Sequence, residues 1–251
     1  MKKLEEECML VKSGPWGEIA RFRLVEKPFK KDQPVALGGY GSLRDPRYFF
    51  IGAIKNGARA PESYGYLMEH LILKATELGL GTCWMGYFNR QFFAESITAE
   101  DERVPDVAVV GGPAEKPRFG EKMIRLGIGA AKRKDWKEMF FLCNFQKALT
   151  AEAAGPYAEP LEMLRLAPSS GNTQPWRVVK EENAQTYHFF LRKVKKMYYE
   201  DGMHNLDIGI AMCHFELTAK EIGLAGEWAL DDPRLPTLPD ATEYRVSWKG
   251  K

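Results

Sequence analysis

Apolar residues recur at helical spacing in two stretches of the chain. In each stretch they are spaced four, four and three residues apart, as on one face of a helix: Leu67, Leu71, Ala75 and Leu78 in the first, and Ala211, Phe215, Ala219 and Ile222 in the second. Gly79 and Gly223 follow, where the end of a helix favours a left-handed residue. The pattern predicts buried helices over 65–79 and 209–223, each stopped by a glycine.

The two predicted helices belong to an internal repeat. Residues 65–84 (GYLMEHLILKATELGLGTCW) and 209–228 (GIAMCHFELTAKEIGLAGEW) are identical at nine of 20 positions without a gap. His70 and His214 are among the identical positions, and their recurrence in both copies favours a packing role over catalysis or metal binding. The repeat predicts two degenerate copies, over 1–150 and 151–251, which pack as one globular unit.

Other parts of the chain alternate between strand and helix patterns. A helix is predicted over Glu159–Leu166, ended by Pro168, because proline disfavours helical geometry in the residue before it. Five short segments rich in β-branched or aromatic residues predict strands: Ala20–Val25, Tyr48–Ile54, Val107–Val110, Arg177–Val179 and Tyr187–Leu191. This order of elements predicts an α+β fold with a mixed sheet between helices.

Charge and composition exclude several classes of protein. The formal net charge is +2, from 36 basic and 34 acidic residues, which argues against a dedicated nucleic-acid binder. The start is acidic and no stretch approaches the roughly 18 apolar residues of a membrane span, so we expect a cytoplasmic protein without a membrane partner. The four cysteines lie far apart without neighbouring histidines, and we expect reduced, buried thiols and no metal: Cys8, Cys83, Cys143 and Cys213.

The segment from Ala167 to Trp176 reads APSSGNTQPW and follows the predicted helix 159–166. Hydroxyl and amide side chains in such a helix-to-strand turn can donate hydrogen bonds to a planar polar cofactor. The same side chains can instead satisfy the backbone of an ordinary turn. Composition alone leaves both interpretations open.

Two further segments carry candidate chemistry. In Gly79-Leu80-Gly81-Thr82-Cys83-Trp84, two glycines allow a ligand to approach backbone N–H groups that stabilise negative charge. A helix cap with a tight turn explains Gly79 and leaves Gly81 and Thr82 less well explained. Lys132-Arg133-Lys134 is a compact basic cluster that suits a phosphate dianion, with a solvated protein face as the alternative.

Together these segments and the repeat resemble the nitroreductase superfamily, in particular its single-chain, tandem-repeat branch, over roughly Tyr40 to Lys249. Segment 167–176 looks like the signature loop of that superfamily, and 79–84 looks like its second flavin-facing turn. The resemblance implies an α+β nitroreductase-like fold whose two repeats form an intrachain pseudo-dimer. It also implies one complete site for flavin mononucleotide (FMN) per chain, formed between the copies, in a monomer with an internal pseudo-twofold axis or a weak homodimer.

The resemblance implies an oxidoreductase that passes electrons from NAD(P)H through FMN to nitroaromatic, quinone or similar small-molecule acceptors. No side chain acts as a nucleophile, because the cofactor carries the redox chemistry. The implied cofactor contacts are Gly81 and Thr82 at the flavin edge, Pro168, Ser169, Ser170 and Asn172 at the isoalloxazine and ribityl groups, with Gln174 also at the cofactor, and Lys132 and Arg133 at the phosphate.

The chain departs from the superfamily in one respect. Members usually carry an Arg-Arg-Ser-x-Arg motif that holds the FMN phosphate, and the first 60 residues contain none. Either the chain is truncated at its start or its grip on the phosphate is reduced, and each lost charge-assisted contact removes roughly 1.5–3 kcal/mol. The alternative functions are therefore a flavin-binding or scaffold protein with little or no turnover, and a cofactor-free structural protein.

Overall fold

The computed structural model describes residues 1–27, 46–95, 97–113 and 125–251. The chain forms two compact units, Met1–Ala130 and Ala131–Lys251. Their boundary lies earlier than the predicted boundary between the repeats, so segment 131–150 belongs to the second unit. Tyr40, where the resemblance begins, lies outside the described residues. So does the rest of 28–45, which is part of the first 60 residues, where the phosphate motif is missing.

The first unit is built on an antiparallel sheet of five strands. Its elements are α1 (Lys2–Leu10), β1 (Ala20–Glu26), β2 (Tyr48–Lys55), α2 (Ala60–Glu77), β3 (Gly81–Trp84), α3 (Arg90–Ala94), β4 (Glu102–Arg103) and β5 (Val107–Gly111). The strand order is β1-β2-β5-β3, with β4 beside β2. The four strand pairs, β1–β2, β2–β4, β2–β5 and β3–β5, are all antiparallel.

Strand β2 is buried on both of its faces, which explains its nearly continuous apolar sequence. Alternate residues of β2 join a hydrophobic cluster with β5 and α3: Phe49, Ile51, Ala53, Phe93, Val107 and Val109. On the opposite face Tyr64 of α2 donates a hydrogen bond from Oη to the carbonyl oxygens of Asp106 (2.6 Å) and Gly52 (3.3 Å). This contact ties α2 to the sheet.

The second unit contains a mixed sheet of five strands. Its elements are α4 (Trp136–Met139), β6 (Phe140–Leu142), α5 (Ala151–Ala154), a 3-10 turn (Gly155–Tyr157), α6 (Ala158–Leu166), a second 3-10 turn (Ser170–Asn172), β7 (Trp176–Lys180), β8 (Thr186–Arg192), α7 (Lys196–Glu200), α8 (Met203–Glu221), β9 (Gly226–Ala229) and β10 (Thr242–Gly250). The strand order is β6-β7-β8-β10-β9. Strand β6 runs parallel to β7, and the other pairs are antiparallel.

Phe215 of α8 anchors the aromatic core of the second unit. Its side chain is fully buried, and its ring centroid lies 5.4–6.0 Å from five other rings: Tyr157, Tyr187, Phe189, Trp228 and Trp248. Aromatic pairs at this separation stabilise a core beyond the area they bury. Helix α8 is therefore fixed against β8, β9 and β10 by ring contacts.

Helices α2 and α8 end in the same way. Gly79 and Gly223 adopt positive φ angles of 74° and 80°. The next residue in each case, Leu80 or Leu224, donates its N–H to a carbonyl five residues earlier, at 3.0 and 2.8 Å. The predicted helix with a glycine stop is thus confirmed in both places, although the helices begin earlier than predicted, at Ala60 and Met203.

In both places a tryptophan of the strand that follows the helix donates a hydrogen bond to a glutamate of the helix. Nε1 of Trp84 in β3 donates to Oε2 of Glu69 in α2 at 2.8 Å. Nε1 of Trp228 in β9 donates to Oε2 of Glu216 in α8 at 2.6 Å. Each bond ties a helix to the strand that follows it. The pseudo-dimeric arrangement of the copies stays a prediction.

The predicted α+β class is confirmed, with the described strands divided between an antiparallel sheet in the first unit and a mixed sheet in the second. All five predicted strands and the helix at 159–166 are present, with ends that extend by at most one residue. The sequence did not predict α1 or the strands β3, β4, β6, β9 and β10.

Within the described ranges no helix is long and apolar enough to cross a membrane. The same residues contain no group of three or more histidine, cysteine or acidic side chains that could hold a metal ion. None of the four cysteines, all of which lie in the described ranges, forms a disulfide; Cys8 and Cys213 are buried, and Cys83 and Cys143 are half-buried. Burial, with a smaller contribution from Glu5, raises the pKa of Cys8 to about 12.

Gly52 is required by packing. A Cβ at this position would lie 2.4 Å from Cε1 of Phe22 and 2.8 Å from Cε2 of Tyr64. We expect Gly52→Ala to lower the free energy of unfolding by about 1–3 kcal/mol, measured by urea denaturation, because an overfilled core forces its rings apart. Gly57→Ala is the control, since its nearest neighbour would lie 3.9 Å away. Equal stability of the two variants would contradict this account.

Candidate functional site

The loop between α6 and β7, residues 167–175, has an unusual backbone. Positive φ angles occur at Gly171 (54°), Asn172 (53°) and Gln174 (47°). The left-handed conformation costs a residue other than glycine about 1–2 kcal/mol. Such strain persists only where surrounding contacts determine the backbone, and it is common at ligand-binding positions. The contacts on both sides of this loop are therefore informative.

The basic segment 132–134 holds one side of the loop. The carbonyl oxygen of Lys132 accepts hydrogen bonds from Nδ2 of Asn172 (3.0 Å) and Nε2 of Gln174 (3.4 Å). The backbone N–H of Lys134 donates to Oε1 of Gln174 at 2.8 Å. Both left-handed polar side chains are thereby bonded to this segment, which the sequence had identified only by its charge.

Arg133 joins the same segment to the end of α6. Its Nε and Nη2 donate to the carbonyl oxygen of Leu166 at 3.2 and 2.9 Å, and its Nη1 donates to Oδ1 of Asn172 at 3.4 Å. A cation at the C-terminus of a helix interacts favourably with the helix dipole. Burial lowers the pKa of Arg133, and the nearby charge of Arg165 lowers it further.

Helix α8 and α7 hold the other side of the loop. The N–H and Oγ of Ser170 both donate to Oδ1 of Asp207, at 2.8 and 3.1 Å. Tyr198 packs against Gly171, where a Cβ would lie 2.5 Å from the tyrosine Oη. The loop is thus clamped between α8 and the basic segment.

Some side-chain groups of the loop remain for a ligand. Oγ of Ser169 accepts from the N–H of Gln174 at 2.9 Å, and its hydroxyl proton has no acceptor in the described part of the chain. Pro168 is exposed. Nζ of Lys132 has no partner among the described residues, because only its backbone oxygen is bonded. Nε1 of Trp176 is buried, and no described residue accepts from it.

Seven of the predicted site residues therefore lie together in the second unit and divide into two groups. The side chains of Lys132, Pro168 and Ser169 retain surface or donors for a ligand. The other four use side-chain groups to hold the loop: Arg133, Ser170, Asn172 and Gln174. Composition left two interpretations open, a loop that binds a ligand and a turn whose side chains hydrogen-bond within the protein. Each interpretation describes part of the loop.

Two further basic residues, Arg177 and Arg192, lie close to Lys134 of the basic segment. Arg177 is only 4% exposed, and its Nη1 donates to the carbonyl oxygens of Gln174 (3.0 Å) and Trp176 (2.6 Å). In the described chain none of the three forms an ion pair. Burial, then the charge of Arg192, lowers the pKa of Arg177 to about 10. Burial and then Arg177 likewise lower the pKa of Lys134.

This concentration of positive charge suits an anion. One acid, Glu138, opposes it by raising the pKa of both Lys134 and Arg177. Sequence reasoning missed Arg177 and Arg192, although Arg177 directly follows the loop. Arg192 lies diagonally from Arg177 across the β7–β8 pair, because Arg177 faces Phe190 in the register. Only strand pairing reveals that proximity.

Gly81 and Thr82 belong to the first unit, and the structure corrects their expected conformation. They are not in a turn but begin strand β3, paired with Gly111 and Val110 of β5. A Cβ at Gly81 would make an ordinary contact, 3.4 Å from Cα of Pro113, and no positive φ is recorded there. Neither backbone conformation nor packing among the described residues requires a glycine at this position.

Comparison with known proteins identifies relatives. The sequence profile of a family described as "Putative TM nitroreductase" matches residues 30–219, more than half of the chain. No curated protein sequence gives a match. A protein named as a putative nitroreductase from Thermotoga maritima has a similar structure, with a TM-score of 0.56 and 18% identity over 99% of this chain and 84% of that one.

A second solved structure, named as a putative nitroreductase from Anabaena variabilis, has a TM-score of 0.50 and 10% identity. The match covers 82% of this chain and 69% of that one. At such low identities the likeness concerns the fold alone.

Gly171 combines a left-handed backbone with a close neighbour. We expect Gly171→Ala to lower the free energy of unfolding by more than the roughly 1–2 kcal/mol of a left-handed alanine, because the new methyl group also displaces Tyr198. Gly202→Ala is the matched control, since Gly202 has a φ of 74° but open space around it. Guanidinium denaturation measures both. A smaller cost at Gly171 than at Gly202 would contradict the packing described.

Proposed function

Because the chain belongs to the nitroreductase family described as "Putative TM nitroreductase", we propose that it is an FMN-dependent oxidoreductase. In this proposal electrons pass from NAD(P)H through FMN to nitroaromatic, quinone or similar small-molecule acceptors. The observation that carries the proposal is the attachment of the strained loop to the basic segment within one unit. This arrangement offers a planar polar cofactor and its phosphate adjacent binding groups.

The donor set fits FMN. A phosphate dianion needs cationic donors without competing carboxylates, and Lys132, Lys134 and Arg177 form no ion pair in the described chain, where Glu138 is the acid that acts on the last two. The flavin ring system needs a hydrogen-bond donor beside an apolar surface. Ser169 offers a hydroxyl proton, and Pro168 offers an exposed ring.

We assign the residues to two roles. Lys132 binds the phosphate directly, while Ser169 and Pro168 contact the isoalloxazine and ribityl groups. Arg133, Ser170, Asn172 and Gln174 act through the backbone that they hold. For the first unit, Gly81 and Thr82 stay proposed contacts of the flavin edge through their backbone.

Bound FMN supplies the hydride-accepting and electron-donating chemistry. The protein provides position and electrostatics. The loop presents Ser169 in one orientation, because the N–H of Gln174 occupies a lone pair of its Oγ and directs the hydroxyl proton away. The buried charge of Arg177 favours negative charge near the loop without needing direct contact.

A flavin-binding protein with little turnover is the second candidate. The observation that favours it is that four predicted ligand residues use side-chain groups to hold the loop, which leaves fewer groups to contact a cofactor: Arg133, Ser170, Asn172 and Gln174. The two candidates differ in turnover. A protein that binds FMN but does not oxidise NADH or NADPH in the presence of a quinone or nitroaromatic compound would belong to the second.

We expect the purified protein to show the visible absorption bands of flavin and to oxidise NADH or NADPH when a quinone is added. Ser169→Ala should weaken FMN and riboflavin binding equally, by about 2- to 10-fold, because it removes one hydrogen bond worth roughly 0.5–1.5 kcal/mol. Ser13→Ala, at an exposed serine of the first unit, is the control. A folded protein that binds no added flavin would refute the proposal.

Phosphate binding by exposed Lys132 predicts a salt dependence. We expect FMN affinity to fall between low and high salt, because charge pairs in solvent are screened within about 10 Å at 0.1 M ionic strength. Riboflavin, which lacks the phosphate, should show little change. Lys132→Met should reduce the salt dependence for FMN, measured by fluorescence titration. Lys137→Met, at an exposed lysine of α4, should leave it unchanged. If FMN binds tightly and independently of salt, groups other than Lys132 hold the phosphate and this assignment is wrong.

A further inference from the structure

Asp207 and His204 are buried polar residues near the start of α8, with exposures of 1% and 0%. We propose that this pair is the positioning element of the flavin loop, which it fixes through Ser170. The proposal rests on the proposed function for the identity of the ligand. The contacts themselves are independent of that function.

One carboxylate oxygen of Asp207 holds both donors of a single residue. The N–H and the Oγ of Ser170 lie 2.8 and 3.1 Å from Oδ1. Two donors from one residue on one acceptor fix its main chain and its side chain together. Ser170 directly precedes Gly171 and Asn172, the first two left-handed residues of the loop. The anchor therefore lies where the strained backbone begins.

The other carboxylate oxygen binds His204. Oδ2 lies 3.0 Å from Nδ1 of the imidazole, and Nε2 lies 2.6 Å from the carbonyl oxygen of Val194. A carbonyl oxygen only accepts, so Nε2 carries a proton. The contact between Nδ1 and Oδ2 then contains one shared proton, whichever atom holds it. The imidazole connects Asp207 to the backbone before α7 and fixes the orientation of the carboxylate.

Tyr198 of α7 extends the same support to the next residue of the loop. Its ring lies 6.0 Å from that of His204 and packs against Gly171. Segment 194–207 thus contacts Ser170 and Gly171 in succession. On the opposite side, segment 132–134 bonds to Asn172 and Gln174. Without Asp207 the loop keeps the packing of Tyr198 and the bonds to segment 132–134, but Ser170 loses both of its bonds to α8 and the backbone before Gly171 is held less firmly.

The amide of asparagine can reproduce every bond of this arrangement. In Asp207→Asn the amide oxygen accepts from both donors of Ser170, and Nδ2 donates to Nδ1 of a neutral His204. Nε2 still donates to Val194. Asp207→Ala loses all contacts of the carboxylate. The two variants therefore separate the hydrogen-bonding role of this residue from its charge.

Hydrogen exchange and flavin titration test the proposal on the full-length protein. We expect Asp207→Ala to accelerate exchange of the amides in 169–174 and to weaken FMN and riboflavin binding alike, each by about tenfold or more, as the loss of a charged hydrogen-bond acceptor predicts. The salt dependence of FMN binding should not change. Asp207→Asn should restore both properties to within about threefold. Glu221→Ala, at an exposed acid at the end of α8, is the matched control.

Unchanged exchange of the loop in Asp207→Ala would overturn the proposal, and so would an asparagine variant that behaves like the alanine variant. If Asp207→Ala does not fold, Ser170→Ala removes only the hydroxyl bond and should shift exchange and affinity in the same direction by a few-fold. A wild-type protein that binds no flavin, but keeps the exchange contrast between alanine and asparagine, would refute the proposed function and support the positioning role.

Discussion

Three donors converge on the carbonyl oxygen of Lys132, from Arg133, Asn172 and Gln174. This acceptor joins two segments that lie far apart in the chain, and the shape of the loop depends on it. An amide side chain left without a partner costs roughly 1–3 kcal/mol where it is buried, and Gln174 is only 3% exposed. The bonds to Lys132 remove that cost and offset part of the strain of two left-handed residues. The candidate site is therefore a folded structure in its own right.

Local pattern predicted the elements that are buried by themselves. Residues 48–54 form a strand because their apolar character matches burial on both faces, and 65–77 form a helix because their apolar positions recur every three to four residues. Strands β3 and β9 escaped prediction, because each begins with a glycine and is only four residues long. Such strands form by pairing with β5 and β10, which no local window contains.

The sequence located the loop and the basic segment but could not show which of their side chains hold the loop and which remain for a ligand. Arg133 is a cation by composition, and only its bonds to Leu166 and Asn172 show that it supports the loop. His204 and Asp207 lie before the repeated segment 209–228, so the repeat, which marks His70 and His214, does not reveal them. A signal existed: a histidine and an acid three residues apart at the start of a mostly apolar stretch of helix require partners when they are buried.

The support that Lys132 gives the loop comes from its main chain, while its ammonium group takes no part. Every amino acid carries the same carbonyl oxygen, so substitution at this position leaves the anchor in place. The charge and length of the side chain are then free to vary. Substitution at position 132 can therefore change ligand preference, in evolution or by design, while the backbone carbonyl keeps the loop in the same conformation.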